Sequence, residues 1–340
     1  MNPKRIYRLR AVIALAAITL AAALWTVHEG RAAERPFRIA LLVPGDQYLA
    51  CVAGLKQGMK DLDFIEERDV HYFLENSGRD KAKLKEMTKK QLAAKVNLIF
   101  TMTNTALLDI GPLAKPSGTP VVFGTAAGPV ESGVVSDFAA PETHITGVIS
   151  SGIELTEKRL DILREILPKV KKLAIFTDPQ SESSQAAALV ARKAATRLGF
   201  TLVERRINNK QEGIEAAKKL SLKDAGALFH LPGLANIIAI GELAVFARTQ
   251  RMPFAAYQME HARDDGALLS YGSSYFLQGR QSARLVSRIL QGAPVRHLPI
   301  ERPEKYELIL NLDTAKAIGV NFSPAILSRA DQLIRKDKGS

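Results

Sequence analysis

The chain has 340 residues, 46% of them hydrophobic, which is enough for two domains with ordinary cores. Lys and Arg (47) outnumber Asp and Glu (35), but few of the sparse aromatic residues lie among the basic ones, which argues against a nucleic-acid-binding surface. The single cysteine, Cys51, excludes an internal disulfide, and we interpret it as a small buried residue at the start of a helix.

The first 32 residues have the pattern of a secretory signal peptide. Basic residues precede an apolar run over 11–27, and Gly30 and Ala32 supply the small residues of a cleavage site after Ala32. The alternative is an uncleaved anchor, because the run is almost long enough to span a bilayer. We expect a cleaved leader over 1–32 and export of the mature protein to the periplasm.

After the leader, strand and helix patterns alternate in two series separated by a loop. The first series has predicted strands at 37–43, 70–74, 96–100, 120–123 and 145–149. The second begins with a helix over 154–167 and has predicted strands at 172–176, 201–205, 227–231, 253–257, 266–271 and 306–311. Such alternation is typical of parallel sheets covered by helices, so the sequence predicts two doubly wound α/β units.

The stretch 264–292 connects the two units. An apolar strand over 266–271 is followed by the breaking residues 272–274 and then by a helix that ends at Gly292. We expect a hinge near 148–151 and 271–274. The domain limits that follow are 33–149 plus 273–292 for an N-terminal lobe, 150–272 plus 293–330 for a C-terminal lobe, and 331–340 for a tail.

Ligands of open α/β sheets bind beyond the carboxyl ends of the strands, and here those ends carry short polar and glycine-rich loops. The run Ser181-Glu182-Ser183-Ser184 can cap a helix or contact a ligand, and the ring of Tyr271 can pack in the hinge or line the cleft. The candidate ligand-binding residues are Asp46, Gln47, Thr103, Asn104, Thr105, Gly124, Thr125, Ser150, Ser151, Thr177, Asp178, Ser181, Ser183, Pro232, Gly233, Tyr257, Gln258 and Tyr271.

The sequence contains no recognisable catalytic or metal-binding constellation. It lacks the Gly-x-Ser-x-Gly elbow, the P-loop and the dinucleotide fingerprint, and its six histidines are scattered. His230, at the end of a predicted strand, is either a ligand contact or a core residue. We therefore expect no enzyme activity, no cofactor and no metal.

The chain resembles the periplasmic substrate-binding proteins of ABC transporters, in the group similar to tryptophan- and tyrosine-type binding proteins. The segments that carry the resemblance are 120–123, 128–135, 145–148, 157–168, 266–281, 289–292, 311–312 and 317–320. The resemblance implies a type I periplasmic-binding-protein fold, with two lobes, three crossing strands and one ligand between the lobes.

The resemblance also implies a function, for which alternatives remain open. The implied protein is a monomer that captures a small molecule and delivers it to an ABC permease, without nucleic acid. The alternatives are a secreted sensor module of the same fold, which presents its ligand to a membrane signalling receptor, and an enzyme.

The sequence departs from the resemblance at three positions. Gly128, Leu234 and Gln258 stand where relatives that bind amino acids tend to offer carboxylates, and Asp46 and Asp178 are the acids left on the predicted cleft loops. A desolvated ammonium group without a carboxylate partner is costly. We expect the cleft to disfavour zwitterionic amino acids and to prefer a neutral or weakly polar ligand.

Overall fold

The computed structural model describes residues 36–139 and 143–335, so the leader predicted over 1–32 lies outside the described residues. The strands are β1 (Phe37–Val43), β2 (Val70–Asn76), β3 (Leu98–Thr101), β4 (Val121–Phe123), β5 (Ile145–Gly147), β6 (Lys172–Thr177), β7 (Thr201–Arg206), β8 (Ala227–Phe229), β9 (Phe254–Ala256), β10 (Leu269–Gly272), β11 (Glu307–Asn311) and β12 (Gln332–Ile334). The helices are α1 (Leu49–Asp61), α2 (Lys81–Ala93), α3 (Asn104–Ala114), α4 (Thr156–Ile166), α5 (Glu182–Leu198), α6 (Lys210–Lys218), α7 (Leu234–Ile238), α8 (Ile240–Thr249), α9 (Met259–Arg263), α10 (Tyr275–Leu290), α11 (Leu312–Ile318) and α12 (Pro324–Arg329).

The strands form two sheets, one in each lobe. The first sheet has the order β2-β1-β3-β4-β5, and all its pairs are parallel. The second has the order β12-β11-β10-β9-β8-β6-β7, and within it β10 and β11 pair antiparallel. Two parallel α/β lobes of this kind confirm the predicted fold class, a type I periplasmic-binding-protein fold.

Each sheet is covered by helices on both faces, as the alternation of buried side chains requires. In β1, Ile39 and Leu41 pack into a cluster with α1 and α10, whereas Ala40 and Leu42 pack into a cluster with α2 and α3. In the second sheet, the odd and even positions of β6 divide in the same way between a cluster with α4 and α5 and a cluster with α6 and α8. The doubly wound arrangement therefore follows from continuously apolar strands.

Helix α10 follows β10 of the second sheet but packs in the first lobe. Residues of α10 share a buried cluster with α1 and β1, and Gly54 and Gly279 bring the backbones of α1 and α10 into close contact. Leu298 and Ile300 also lie in clusters of the first lobe. The predicted limit at residue 293 is therefore wrong, because the chain returns to the second lobe only after Ile300.

Three segments thus connect the lobes: 148–155, 272–274 and 301–306. The first and third lie side by side, since Val148 forms an isolated bridge with Glu301 and the N–H of Ile149 donates to the carbonyl of Glu301 at 3.0 Å. The predicted tail also needs correction, because 332–334 form β12, which pairs in parallel with β11.

Within the described ranges, we find no helix with the length and hydrophobicity that spanning a bilayer requires.

Candidate ligand-binding site

A cavity of about 60 Å³ lies between the lobes, and we call it the interlobe cavity. From the first lobe and the connecting segments it is lined by Tyr48, Thr103, Asn104, Thr105, Thr125, Ala126, Ala127, Ser150 and Tyr275. From the second lobe it is lined by Ser181, Glu182, Ser183, Pro232, Gly233, Ile237 and Tyr257. The lining is rich in hydroxyl groups on both sides, in agreement with the polar loops that the sequence places at the strand ends.

The first-lobe side is built around the N-terminus of α3. The Thr103 hydroxyl accepts a hydrogen bond of 3.2 Å from the Ala106 N–H, and the Thr103 N–H donates to the Thr125 carbonyl at 2.7 Å. Thr103 has a φ of 73°, which is unusual for a non-glycine residue. These bonds fix the loops after β3 and β4 to each other, with the N-terminal end of α3 at the cavity.

Asn104 presents an unpaired acceptor at the cavity. Its Nδ2 donates to the carbonyls of Ala127 and Gly128, which orients the amide. Its Oδ1 is buried and has no hydrogen-bond partner among the described residues. Because buried polar atoms are normally paired, this oxygen is suited to accept a hydrogen bond from a ligand.

The second-lobe side is built around the N-terminus of α5. Ser181 caps this helix by accepting a hydrogen bond of 3.2 Å from the Ser184 N–H, and its hydroxyl lies 3.0 Å from that of Ser183. Gly233 has a φ of 134° and lies directly against Ser184, where a Cβ atom would be 3.0 Å from the serine Cβ. The structure thus combines the two interpretations of the serine run, since Ser181 caps the helix and also lines the cavity.

Three tyrosines form a wall of the cavity. The rings of Tyr48 and Tyr275 meet edge to face with centroids 5.2 Å apart, and all three side chains, including Tyr257, are at most 4% exposed. Burial raises the pKa of Tyr48 to about 12 and also raises the pKa values of Tyr257 and Tyr275. The three phenols therefore stay protonated and can donate hydrogen bonds at physiological pH.

Ten of the eighteen candidate residues line the interlobe cavity: Thr103, Asn104, Thr105, Thr125, Ser150, Ser181, Ser183, Pro232, Gly233 and Tyr257. The other eight do not line it: Asp46, Gln47, Gly124, Ser151, Thr177, Asp178, Gln258 and Tyr271.

The two acids among these eight are engaged elsewhere. Asp46 is exposed and accepts a hydrogen bond of 2.6 Å from Asn76 Nδ2. Asp178 is buried and holds the turn after β6, because its Oδ1 accepts from the N–H of Gln180 at 3.0 Å and its N–H donates to the hydroxyl of Ser184 at 3.0 Å. Neither carboxylate is placed to meet a ligand in the cavity.

The remaining six contribute to packing and to local structure. The side chain of Gln47 accepts a hydrogen bond from Arg79, and the hydroxyl of Ser151 forms one with that of Tyr306. Gly124 packs against Cys51 and Phe100, and the ring of Tyr271 packs against that of Tyr306. Thr177, in β6, and Gln258 are buried. For Tyr271 the structure favours hinge packing.

Sequence reasoning missed six lining residues: Tyr48, Ala126, Ala127, Glu182, Ile237 and Tyr275. Glu182 is the carboxylate-bearing residue of the lining, and it lay within the serine run that the sequence had singled out. Tyr48 and Tyr275 come from elements far apart in the chain, so only the packing of α10 on α1 brings them together.

His230 lies outside the lining and belongs to a buried aromatic group. Its ring is 5.2 Å from that of Tyr257 and 5.1 Å from that of His261. Burial and the neighbouring His261 and Arg159 lower the pKa of His230 well below its usual value, so the ring is neutral. Among the described residues, no group of His, Cys, Asp and Glu could hold a metal ion.

Comparison with known proteins places these features in a family. The chain is 21% identical over 265 residues to the tyrosine-binding protein of Clostridioides difficile (strain R20291), covering 78% of this chain and 75% of the relative. It superimposes with a TM-score of 0.81 on a conserved domain protein from Vibrio cholerae, at 20% identity, and with a TM-score of 0.79 on the ABC domain from Streptococcus pneumoniae in complex with L-Trp, at 17% identity. Each superposition covers 88% of this chain and 100% of the other. The family described as ABC transporter substrate binding protein matches residues 37–334, both lobes and the cavity between them, and the chain belongs to this family.

Proposed function

We propose that the protein is an extracytoplasmic solute-binding protein that captures a small molecule between its lobes and delivers it to an ABC permease. The observation that carries the proposal is the interlobe cavity, whose hydrogen-bonding groups come from both lobes. A ligand held in this way bridges the lobes and favours their closed arrangement. The protein acts as a monomer, without catalysis and without nucleic acid.

The chemistry of the lining supports a ligand that carries a carboxylate. The N-terminal ends of α3 and α5 face the cavity from opposite lobes. The first turn of α3 contains no acidic residue, so this end favours a negatively charged ligand group, whereas Glu182 already occupies the first turn of α5. Hydroxyls of Thr105, Ser150 and Ser183 add donors at the same place. The amino acids named for the two relatives, tyrosine and L-Trp, also carry a carboxylate, which agrees with this choice.

The size of the cavity supports a compact ligand. One water occupies roughly 10–15 Å³ on a comparable volume scale. A cavity of about 60 Å³ therefore holds a solute of only a few non-hydrogen atoms. An indole or phenol side chain requires the lobes to lie further apart than they do here.

Thermal-shift and calorimetric screens of short carboxylates, amino acids, sugars and nucleosides test solute binding. A true ligand at 100 times its dissociation constant stabilises the folded protein by roughly 2.7 kcal/mol. If no compound of these classes binds saturably, the proposal is contradicted.

Uptake and localisation test the remaining steps. We expect the mature protein in the periplasmic fraction with an N-terminus near Ala33, and ligand uptake that is lost when the gene is deleted. Normal uptake in the deletion strain, with loss of a transcriptional response to the ligand, would instead favour the signalling alternative.

A further inference from the structure

Arg159, on the buried face of α4, is a cation without a counter-ion. Its side chain is 0% exposed, and its guanidinium donates to three neutral acceptors: the His230 carbonyl (3.0 Å), the Gly152 carbonyl (2.8 Å) and the Thr156 hydroxyl (3.0 Å). Among the described residues no carboxylate forms an ion pair with it, and its Nε has no hydrogen-bond partner. Buried charges are normally paired, so this arrangement requires an explanation.

The guanidinium does not line the interlobe cavity but contacts segments that do. Gly152 lies two residues after Ser150, and His230 lies two residues before Pro232, so two of its hydrogen bonds fix loops that carry lining residues. The guanidinium carbon is also 5.4 Å from the ring centroid of Tyr257, which lines the cavity. The positive charge thus polarises the phenol and the loops that a ligand would contact.

Neighbouring ionisable groups do not neutralise this charge. Burial lowers the pKa of Arg159 to about 9, so it remains cationic at physiological pH. Burial likewise lowers the pKa of His261 to about 3, so that ring is neutral. Glu260 forms no ion pair with Arg159 among the described residues, and burial raises the pKa of its carboxyl, which weakens its negative charge.

We propose that Arg159 is a positioning residue that sets the charge of the ligand, so that the interlobe cavity selects a short-chain carboxylate without a charged amine. The inference rests on the proposed solute-binding function and deepens it. A small carboxylate bound between the helix N-termini supplies the negative charge that the described residues do not place beside Arg159. An added ammonium group, by contrast, is repelled by the buried Arg159, and the attraction of the lining carboxylate Glu182 is screened because that side chain is exposed to water.

Arg164, one and a half turns further along α4, provides a matched control. It also donates to backbone carbonyls, those of Leu198 (3.1 Å) and Val170 (2.6 Å), and lies over the ring of Phe200. It does not line the interlobe cavity or contact its loops. An arginine that only ties backbone segments together is therefore present on the same helix.

The test compares three ligands of equal size: L-lactate, its neutral amide L-lactamide, and the zwitterion L-alanine. Their dissociation constants are measured by calorimetry for the wild type, Arg159→Lys, Arg159→Gln and Arg164→Gln. We expect the wild type to bind lactate at least about tenfold more tightly than either analogue. Arg159→Gln should reduce this preference about tenfold, whereas Arg159→Lys and Arg164→Gln should retain it.

A merely structural role of Arg159 gives a different result. In that case Arg159→Gln weakens the binding of lactate and of lactamide equally, and the ratio of their dissociation constants is the same as in the wild type. That outcome overturns the inference, as does a wild-type ratio near one. If Arg159→Gln does not fold, the preference for lactate is compared between the wild type and Arg159→Lys, and its loss in Arg159→Lys contradicts the inference. Saturable binding of a sugar or nucleoside, with acetate, pyruvate and lactate all inactive, overturns the inference but leaves solute binding intact. No saturable binding at all contradicts the proposed function itself.

Discussion

The carboxylate of Glu260 accepts a hydrogen bond of 2.9 Å from the backbone N–H of Tyr275. Glu260 belongs to α9 of the second lobe, whereas Tyr275 is the first residue of α10, which packs in the first lobe. A side chain of one lobe therefore satisfies the N-terminal end of a helix of the other, at the second connecting segment. This bond helps to fix the relative orientation of the lobes.

The buried state of Glu260 predicts a pH-dependent contribution to stability. Burial raises the pKa of its carboxyl in the folded protein, so the folded state holds this proton more tightly than the unfolded state does. The stabilising contribution is complete below the usual glutamate pKa, about 4.3, and is lost as the pH rises through the raised value. We expect the free energy of unfolding of Glu260→Gln to fall less than that of the wild type as the pH rises from about 4.3 through the raised pKa.

Urea denaturation at several pH values measures this difference. Glu212 serves as the control, because hydrogen bonds from the N–H and side chain of Asn208 lower its pKa. The contribution of Glu212 is present above the usual pKa and lost as the pH falls. Glu212→Gln should therefore show no change of slope above about pH 5, and equal slopes for Glu260→Gln and wild type would refute the assignment.

The contact between α1 and α10 predicts an intolerance of side chains at Gly279. A Cβ atom there would overlap the backbone carbonyl of Cys51, which is not free to move aside. Gly279→Ala should therefore destabilise the protein by about 1–3 kcal/mol or more, measured by urea denaturation. Gly241→Ala in α8 is the control, because its Cβ would lie at ordinary contact distance, 3.9 Å, from Asp265. We expect this control to stabilise by about 0.5–1 kcal/mol, and similar losses in both variants would contradict the explanation.

Cys51 should report on opening of the first lobe. Its side chain is 0% exposed, and burial raises the pKa of its thiol, so the reactive thiolate is scarce in the folded protein. We expect a thiol reagent to label the native protein about three orders of magnitude more slowly than the urea-unfolded protein. The chain has one cysteine, so Cys51→Ala gives the background directly. Rapid labelling without urea would show that α1 opens locally.

The sheets were predictable because the strands are recognisable from the apolar pattern of their own residues. In β1 and β6 the apolar run faces helices on both sides, which is the pattern expected of central parallel strands. Helix ends were predictable for the same reason, since Ser274 caps α10 and Gly199 ends α5 with a φ of 69°. Strand β12 was missed because its pairing with β11 is not visible in three residues.

The candidate site was predictable only to the level of loops. Strand-end loops converge by topology, which explains why Thr103 and Ser181 both line the cavity. Whether a side chain in such a loop faces the cavity or its own turn depends on local hydrogen bonds. The carboxylate of Asp178 accepts a hydrogen bond from the Gln180 N–H within its own turn. Arg159 gave no signal, because a basic residue in an amphipathic helix is normally exposed.

Glu182 should decide whether a bound amine is tolerated. It is the carboxylate of the lining, and it lies exposed in the first turn of α5. In Glu182→Gln we expect the affinity for L-alanine to fall about tenfold relative to that for L-lactate, because only the zwitterion loses a charge partner. Calorimetry with both ligands measures the ratio of the two affinities.

Asp46→Asn is the control, since Asp46 bonds to Asn76 outside the cavity, and it should leave both affinities unchanged. Removing the charge also costs α5 about 0.3–1 kcal/mol of helix-dipole stabilisation, which should affect both ligands alike. An equal loss for lactate and alanine would therefore mean that Glu182 acts through the helix and not through the ligand.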